Sequence, residues 1–241
     1  MKNRTPTIRE LREKTKSKRK DIFYSVADYL SYYPAKLFLY TSITANQITL
    51  IWIIGQIVSA LFLTSGNYLT MVSALLVFQA FFILDCTDGI VARYRQKFTI
   101  NGIYLDMLGH YLANTILLIS FGIGVAKTSG NVIYIFIGFA AAAAFLLNKA
   151  ITLNPLWYGN EEQQNRIKSS YGKSQLQNQK KAVYFVFAIF RLEYMFNVMF
   201  WGILFGYAEY TLILYAILFF LEFLRKLFSQ LKHNQNLDQQ R

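Results

Sequence analysis

The sequence is short of acid, of charge overall and of cysteine. It has 13 Asp and Glu against 25 Lys and Arg, and charged residues make up 16% of its 241 positions; soluble domains carry about 25%. That shortage excludes an ordinary water-facing surface. The single cysteine, Cys86, excludes an internal disulfide, so nothing points to an oxidising compartment. Gly and Pro are too sparse to suggest a disordered chain. No internal repeat is visible. No apolar run directly follows the basic start, which argues against a signal peptide. No nucleic-acid recognition fold accompanies the basic residues, so no nucleic-acid partner is expected.

What the sequence does have is apolar length. It is 54% hydrophobic and 17% aromatic, with a mean hydropathy of +0.28. These values describe an all-α, multi-pass integral membrane protein. The formal net charge of +12 suits anionic membrane lipids or a phosphorylated substrate. Six stretches approach the ~20 residues needed to cross a hydrocarbon core: 46–64, 67–93, 102–126, 131–153, 181–206 and 210–228. In that core every backbone group must be bonded internally, which favours helices.

Residues 21–45 are too polar to span and rich in aromatics. They predict an amphipathic helix lying in the interface, broken at Pro34. The expected organisation is a basic tail and interfacial helix over 1–45, a six-helix membrane domain over 46–228 and a polar tail over 229–241. The Gln/Asn-rich part after Lys232 is expected to be disordered. Basic residues cluster in the loops 93–101 (Arg93, Arg95, Lys97) and 154–182 (Arg166, Lys168, Lys173, Lys180, Lys181), and again at Arg225, Lys226 and Lys232. The alternate turns hold little beyond Lys127 and Glu209. The positive-inside bias then puts both termini in the cytoplasm. The alanine run 140–144 suits close helix packing or a dimer seam.

One segment breaks the apolar pattern: DCTDGIVARYRQKFTINGIYLDMLGHY, residues 85–111. Asp85 and Asp88 lie three apart and share a helix face. Gly89, one turn on, leaves room for a ligand to approach the backbone. Arg93 closes the helix at the membrane edge. On the next helix Gly102, Asp106, His110 and Asn114 recur every four residues and form one polar stripe. A short loop joins the two helices, so three carboxylates and an imidazole can meet. Ionisable residues at membrane depth cost roughly 2.5–3.5 kcal/mol each and usually mark a functional cavity. A divalent cation relieves both that burial and the mutual repulsion. Oxygen ligands suit Mg²⁺, Mn²⁺ or Ca²⁺, and Arg93, Arg95 and Lys97 beside it suit a pyrophosphate. Cys86, between the acids, reads as small packing.

This spacing resembles the signature of the CDP-alcohol phosphotransferase (phosphatidyltransferase) family. Asp85, Asp88, Gly89, Ala92, Arg93, Gly102 and Asp106 match it in register, and ITANQITL (43–50) resembles the start of the family's first helix. The resemblance implies a site of one or two divalent metals, usually Mg²⁺ or Mn²⁺, held by Asp85, Asp88 and Asp106. It also implies a CDP-linked alcohol donor, a hydroxyl-bearing acceptor, release of CMP and usually a homodimer. The setting would be phospholipid or lipid-linked glycan biosynthesis, with the site near the cytoplasmic face. Asn46, Thr49, Gly89, Ala92, Arg93 and Gly102 become candidate donor-binding positions; for Asn46 and Thr49, helix capping and packing compete with that role.

The departure is at position 110, where the family pattern has a fourth Asp and this sequence has His110. An imidazole titrates near pH 6.5, so it can serve as a general base, and it can ligate a metal. His110 is therefore both a candidate catalytic residue and a candidate ligand. The alternative is a catalytically inactive relative that binds nucleotide or lipid as a membrane scaffold. Seven intact signature positions around His110 weigh against it. A transporter would spread polar residues over several broken helices, whereas here they concentrate in two. Lys149 and Arg191 are candidate acceptor-binding cations; for Arg191, pairing with a carboxylate or snorkelling competes.

Overall fold

The computed structural model describes residues 6–15, 22–153 and 195–238. Among these residues the regular structure is helical throughout. It comprises α1 (Ile8–Thr15), α2 (Ile22–Leu39), α3 (Ala45–Phe62), α4 (Tyr68–Arg95), α5 (Ile100–Ser129), α6 (Ile133–Leu153), α7 (Met195–Leu204) and α8 (Ala208–Asp238), with a 3₁₀ turn at Leu63–Ser65. Four stretches are long and apolar enough to cross a membrane: Ala45–Ser65, Tyr68–Arg95, Ile100–Ser129 and Ile133–Ile151. They correspond to the first four expected spans. The fifth expected span lies partly outside the described residues; its described part is the ten-residue α7. The sixth falls in α8, which also carries Glu209, Glu222, Arg225 and Lys226.

Local chemistry sets the helix ends that frame the site. Thr44 and Gln47 form a capping box at the start of α3. The Thr44 hydroxyl accepts from the Gln47 N–H, and the Gln47 side chain accepts from the Thr44 N–H at 2.8 Å. Gly66, at φ +70°, turns the chain out of the 3₁₀ segment, and Asn67 caps α4. α4 ends at Gln96, also left-handed at φ 53°, where the Lys97 N–H donates to the Ala92 carbonyl at 3.1 Å. Only three residues after Gln96, Thr99 caps α5 by accepting from the Gly102 N–H at 3.0 Å. This tight α4–α5 connection lets both helices pack against α3.

Two apolar clusters hold the bundle. The larger joins α4, α5, α6, α7 and α8 through Phe78, Phe121, Phe145, Phe196, Tyr215 and Phe219. Within it, Ala141, Ala142 and Ala144 of the alanine run are buried. A Cβ on Gly122 would stand 2.7 Å from the Tyr134 carbonyl and 2.8 Å from the Gly138 Cα, so α5 and α6 touch backbone to backbone. The smaller cluster ties α1 and α2 to α3 and α4 through Leu11, Tyr32, Ala35, Ile48, Ile90 and Val91.

Two expectations are corrected here. Pro34 does not break its helix: α2 runs through it from Ile22 to Leu39. An interior proline costs about 3 kcal/mol, but Tyr32 and Ala35 on either side are buried in the α2–α4 contact. That packing holds both halves on one axis. The outer face of α2 still exposes Val26, Tyr29, Leu30, Tyr33 and Leu37. The second correction concerns the Gln/Asn-rich end, where α8 continues to Asp238. Extending an existing helix needs no new nucleus, so weak formers can join it.

Candidate active site

Three helices converge on the predicted stripe: α3 brings Asn46, Thr49 and Trp52, α4 brings Asp85 and Asp88, and α5 brings Asp106 and His110. His110 Nε2 lies 3.5 Å from Asp85 Oδ1 and 3.6 Å from Asp106 Oδ1. One donor atom from each of Asp85, Asp106 and His110 falls within 4.8 Å of the others. A ligand set of two carboxylate oxygens and an imidazole nitrogen at that spacing fits a divalent cation. The side chain of Asp85 is only 13% exposed, while Asp106 is 46% exposed. The cluster is thus dry on the α4 side and open on the α5 side.

Asp88 is placed differently from its three expected partners. It is turned to α3, where its Oδ2 accepts from the Thr49 hydroxyl at 2.6 Å and from the Trp52 indole N–H at 2.9 Å. Thr49 is therefore a partner of a carboxylate. Trp52 is the residue that sequence reasoning missed. Its signal was the α3 spacing: Asn46, Thr49 and Trp52 recur every three residues and so share one face.

The two signature glycines prove to be seats for side chains of this protein. A Cβ on Gly102 would stand 2.6 Å from Asn46 Oδ1 and 2.9 Å from Thr99 Oγ1, so Gly102 admits Asn46 from α3. There the Asn46 amide donates to Thr99 at 3.1 Å, linking the starts of α3 and α5. A Cβ on Gly89 would stand 3.1 Å from a terminal nitrogen of Arg93. Arg93 folds back over that space, and its Nε–H donates to the Thr15 carbonyl at the end of α1, at 3.1 Å.

Beside the carboxylates is a cavity of about 400 Å³ lined by residues that include Asn46, Ala92, Arg95, Lys97 and Thr99. Asn46 lies one turn before Thr49, and Ala92 one turn after Asp88. Arg95 donates to the carbonyls of Phe38 (3.1 Å), Thr41 (2.8 Å) and Ile43 and so fixes the α2–α3 turn that walls the cavity. Lys149 places its ammonium 5.6 Å from the Tyr111 ring centre and 5.5 Å from that of Phe145, alongside α5. Arg191 lies outside the described residues.

The family model for CDP-alcohol phosphatidyltransferase matches residues 42–223. The chain belongs to this family. Comparison with curated proteins gave no match. CDP-alcohol phosphatidyltransferases are phosphotransferases that bind a CDP-alcohol donor and an acceptor alcohol and act in lipid synthesis. The matched region takes in all of α3 to α6, the whole carboxylate cluster and every cavity-lining residue but Thr41.

Proposed function

We propose that this protein transfers a substituted phosphate from a CDP-alcohol, such as CDP-diacylglycerol, to an acceptor hydroxyl and releases CMP, with Mg²⁺ or Mn²⁺ bound. The observation that supports this reading is the convergence of Asp85, Asp106 and His110 within 4.8 Å, beside a cavity bearing Arg95 and Lys97. Asp85, Asp88 and Asp106 are the carboxylates that would hold the ion. A bound divalent cation supplies charge neutralisation for the pyrophosphate and the CMP leaving group.

The remaining roles belong to the chain. Asn46, Ala92 and Lys97 line the volume assigned to the nucleotide end of the donor. Phosphoryl transfer needs mostly positioning and neutralisation, and helices fixed at both ends by caps and buried contacts provide the first. His110 receives the proton of the acceptor hydroxyl as that oxygen attacks phosphorus. The flanking carboxylates of Asp85 and Asp106 stabilise the imidazolium that results. A second reading makes His110 a ligand in place of a base, because its Nε2 is the atom grouped with the two carboxylates. One lone pair cannot hold a metal and a proton at once.

The topology we assign is six crossings, with the site and both termini on the cytoplasmic side. The Lys/Arg bias of alternate loops supports it. Lys149 and Arg191 remain the cations proposed to meet the acceptor.

The test is CMP release from a panel of CDP-alcohols with Mg²⁺ or Mn²⁺. His110→Ala is expected to lower turnover at least about a hundredfold, while His110→Asp keeps part of it and shifts preference toward Mg²⁺. Full activity in His110→Ala removes the base. Loss of bound Mn²⁺ in that variant favours the ligand role. A chain that binds donor and releases no CMP from any member of the panel is a scaffold, not an enzyme.

A further inference from the structure

Trp52 has no part in the reaction described above, yet it touches both halves of the site. Its Nε1–H donates to Asp88 Oδ2 on α4 at 2.9 Å. Its ring lies over the imidazole of His110 on α5, with centroids 4.9 Å apart and planes inclined by 36°. The side chain is fully buried. α5 makes room for it at Gly109, where a Cβ would stand 2.8 Å from Trp52 Cη2 and 2.4 Å from Ile53. A tryptophan that only filled space would be served by any nearby carbonyl. Here the N–H ends on a carboxylate oxygen that Thr49 already holds.

From this double contact we infer that Trp52 is a positioning residue, fixing the Asp88 carboxylate and the His110 imidazole relative to one another across α3, α4 and α5. The inference rests on the metal-dependent reading of the site. Partners that orient ligating groups typically contribute about 10–100-fold in metal affinity. Trp52 does this with one rigid group. The hydrogen bond selects one Asp88 oxygen and so sets its rotamer, and the ring face limits how far the imidazole can rotate. Phe at position 52 would keep a ring and lose the N–H; Leu would lose both. The two contacts are therefore separable.

The experiment uses the full chain in detergent micelles and has two arms. In the first, free Mn²⁺ is counted by electron paramagnetic resonance. Trp52→Phe is expected to weaken Mn²⁺ binding about tenfold and to lower kcat for CMP release with little change in donor KM. Trp52→Leu should weaken both further. Mn²⁺ binding equal to wild type in Trp52→Phe, with only a lower melting temperature, would show a filler and overturn the proposal.

The second arm needs no metal and no variant at position 52. Trp157→Phe with Trp201→Phe leaves Trp52 as the remaining tryptophan. Its indole N–H resonance is followed by NMR in the metal-free protein. That resonance should move upfield on Asp88→Ala, as the indole N–H loses its acceptor. An unmoved resonance overturns the proposal. Failure of the underlying reading looks different: the wild-type chain then takes up no Mn²⁺ at all, while the resonance still responds to Asp88→Ala.

Discussion

Where the first half of α5 meets its neighbours, directed contacts join the packing at Gly109: His110 toward Asp85, and the Thr99 cap toward Asn46. Where the second half does, the closest contacts are matters of shape. Leu117, Leu118, Phe121 and Val125 are fully buried, and Gly122 lies against Gly138. In lipid, apolar faces do not select partners by avoiding water, so close packing and polar pairs must do it. One helix uses both devices at opposite ends. The packed end holds the bundle together. The polar end leaves Asp106 nearly half exposed, as a surface that must admit small molecules requires.

The contrast can be broken from either end. Asp88→Asn should have the largest effect, lowering metal-dependent CMP release by about a hundredfold, with an unchanged melting temperature in the CMP-release and thermal-melt pair of assays. Gly122→Val should do the reverse. It forces a side chain between α5 and α6 and should destabilise by about 1–3 kcal/mol, while surviving folded protein binds Mn²⁺ as wild type does. Thr44→Ala removes the α3 capping box and should cost about 1 kcal/mol in thermal or denaturant unfolding. The smallest effect is expected of Gly102→Ala. Its Cβ pushes the flexible Asn46 amide toward the cavity, raising donor KM by about threefold, less than about 1 kcal/mol. A Gly102→Ala loss as large as that of Asp88→Asn would mean that the glycine admits a ligand, and not Asn46.

That Asp85, Asp106 and His110 can meet was legible because it depends on register; that Asp88 turns to Thr49 and Trp52 was not. Residues four apart on a helix share a face, and a short loop between helices leaves little choice of partner. What the arginines do was not legible. Arg93 and Arg95 look like phosphate ligands, but a long guanidinium side chain can reach across to a neighbouring helix, and here both serve backbone carbonyls. Trp52 was hidden for another reason. A lone indole in an apolar helix looks like packing or a lipid anchor, and only α4 and α5 together reveal what its N–H meets. Pro34 and the end of α8 show packing and helix extension overriding the preference of individual residues.

Arg95 grips three carbonyls of the segment that leads from α2 into α3. The turn and the last residues of α4 are therefore one mechanical piece, although they lie far apart along the chain. An insertion of a single residue between Phe38 and Ile43 would slide those acceptors out of the guanidinium's reach. The damage would appear as a sagging cavity wall at the mouth.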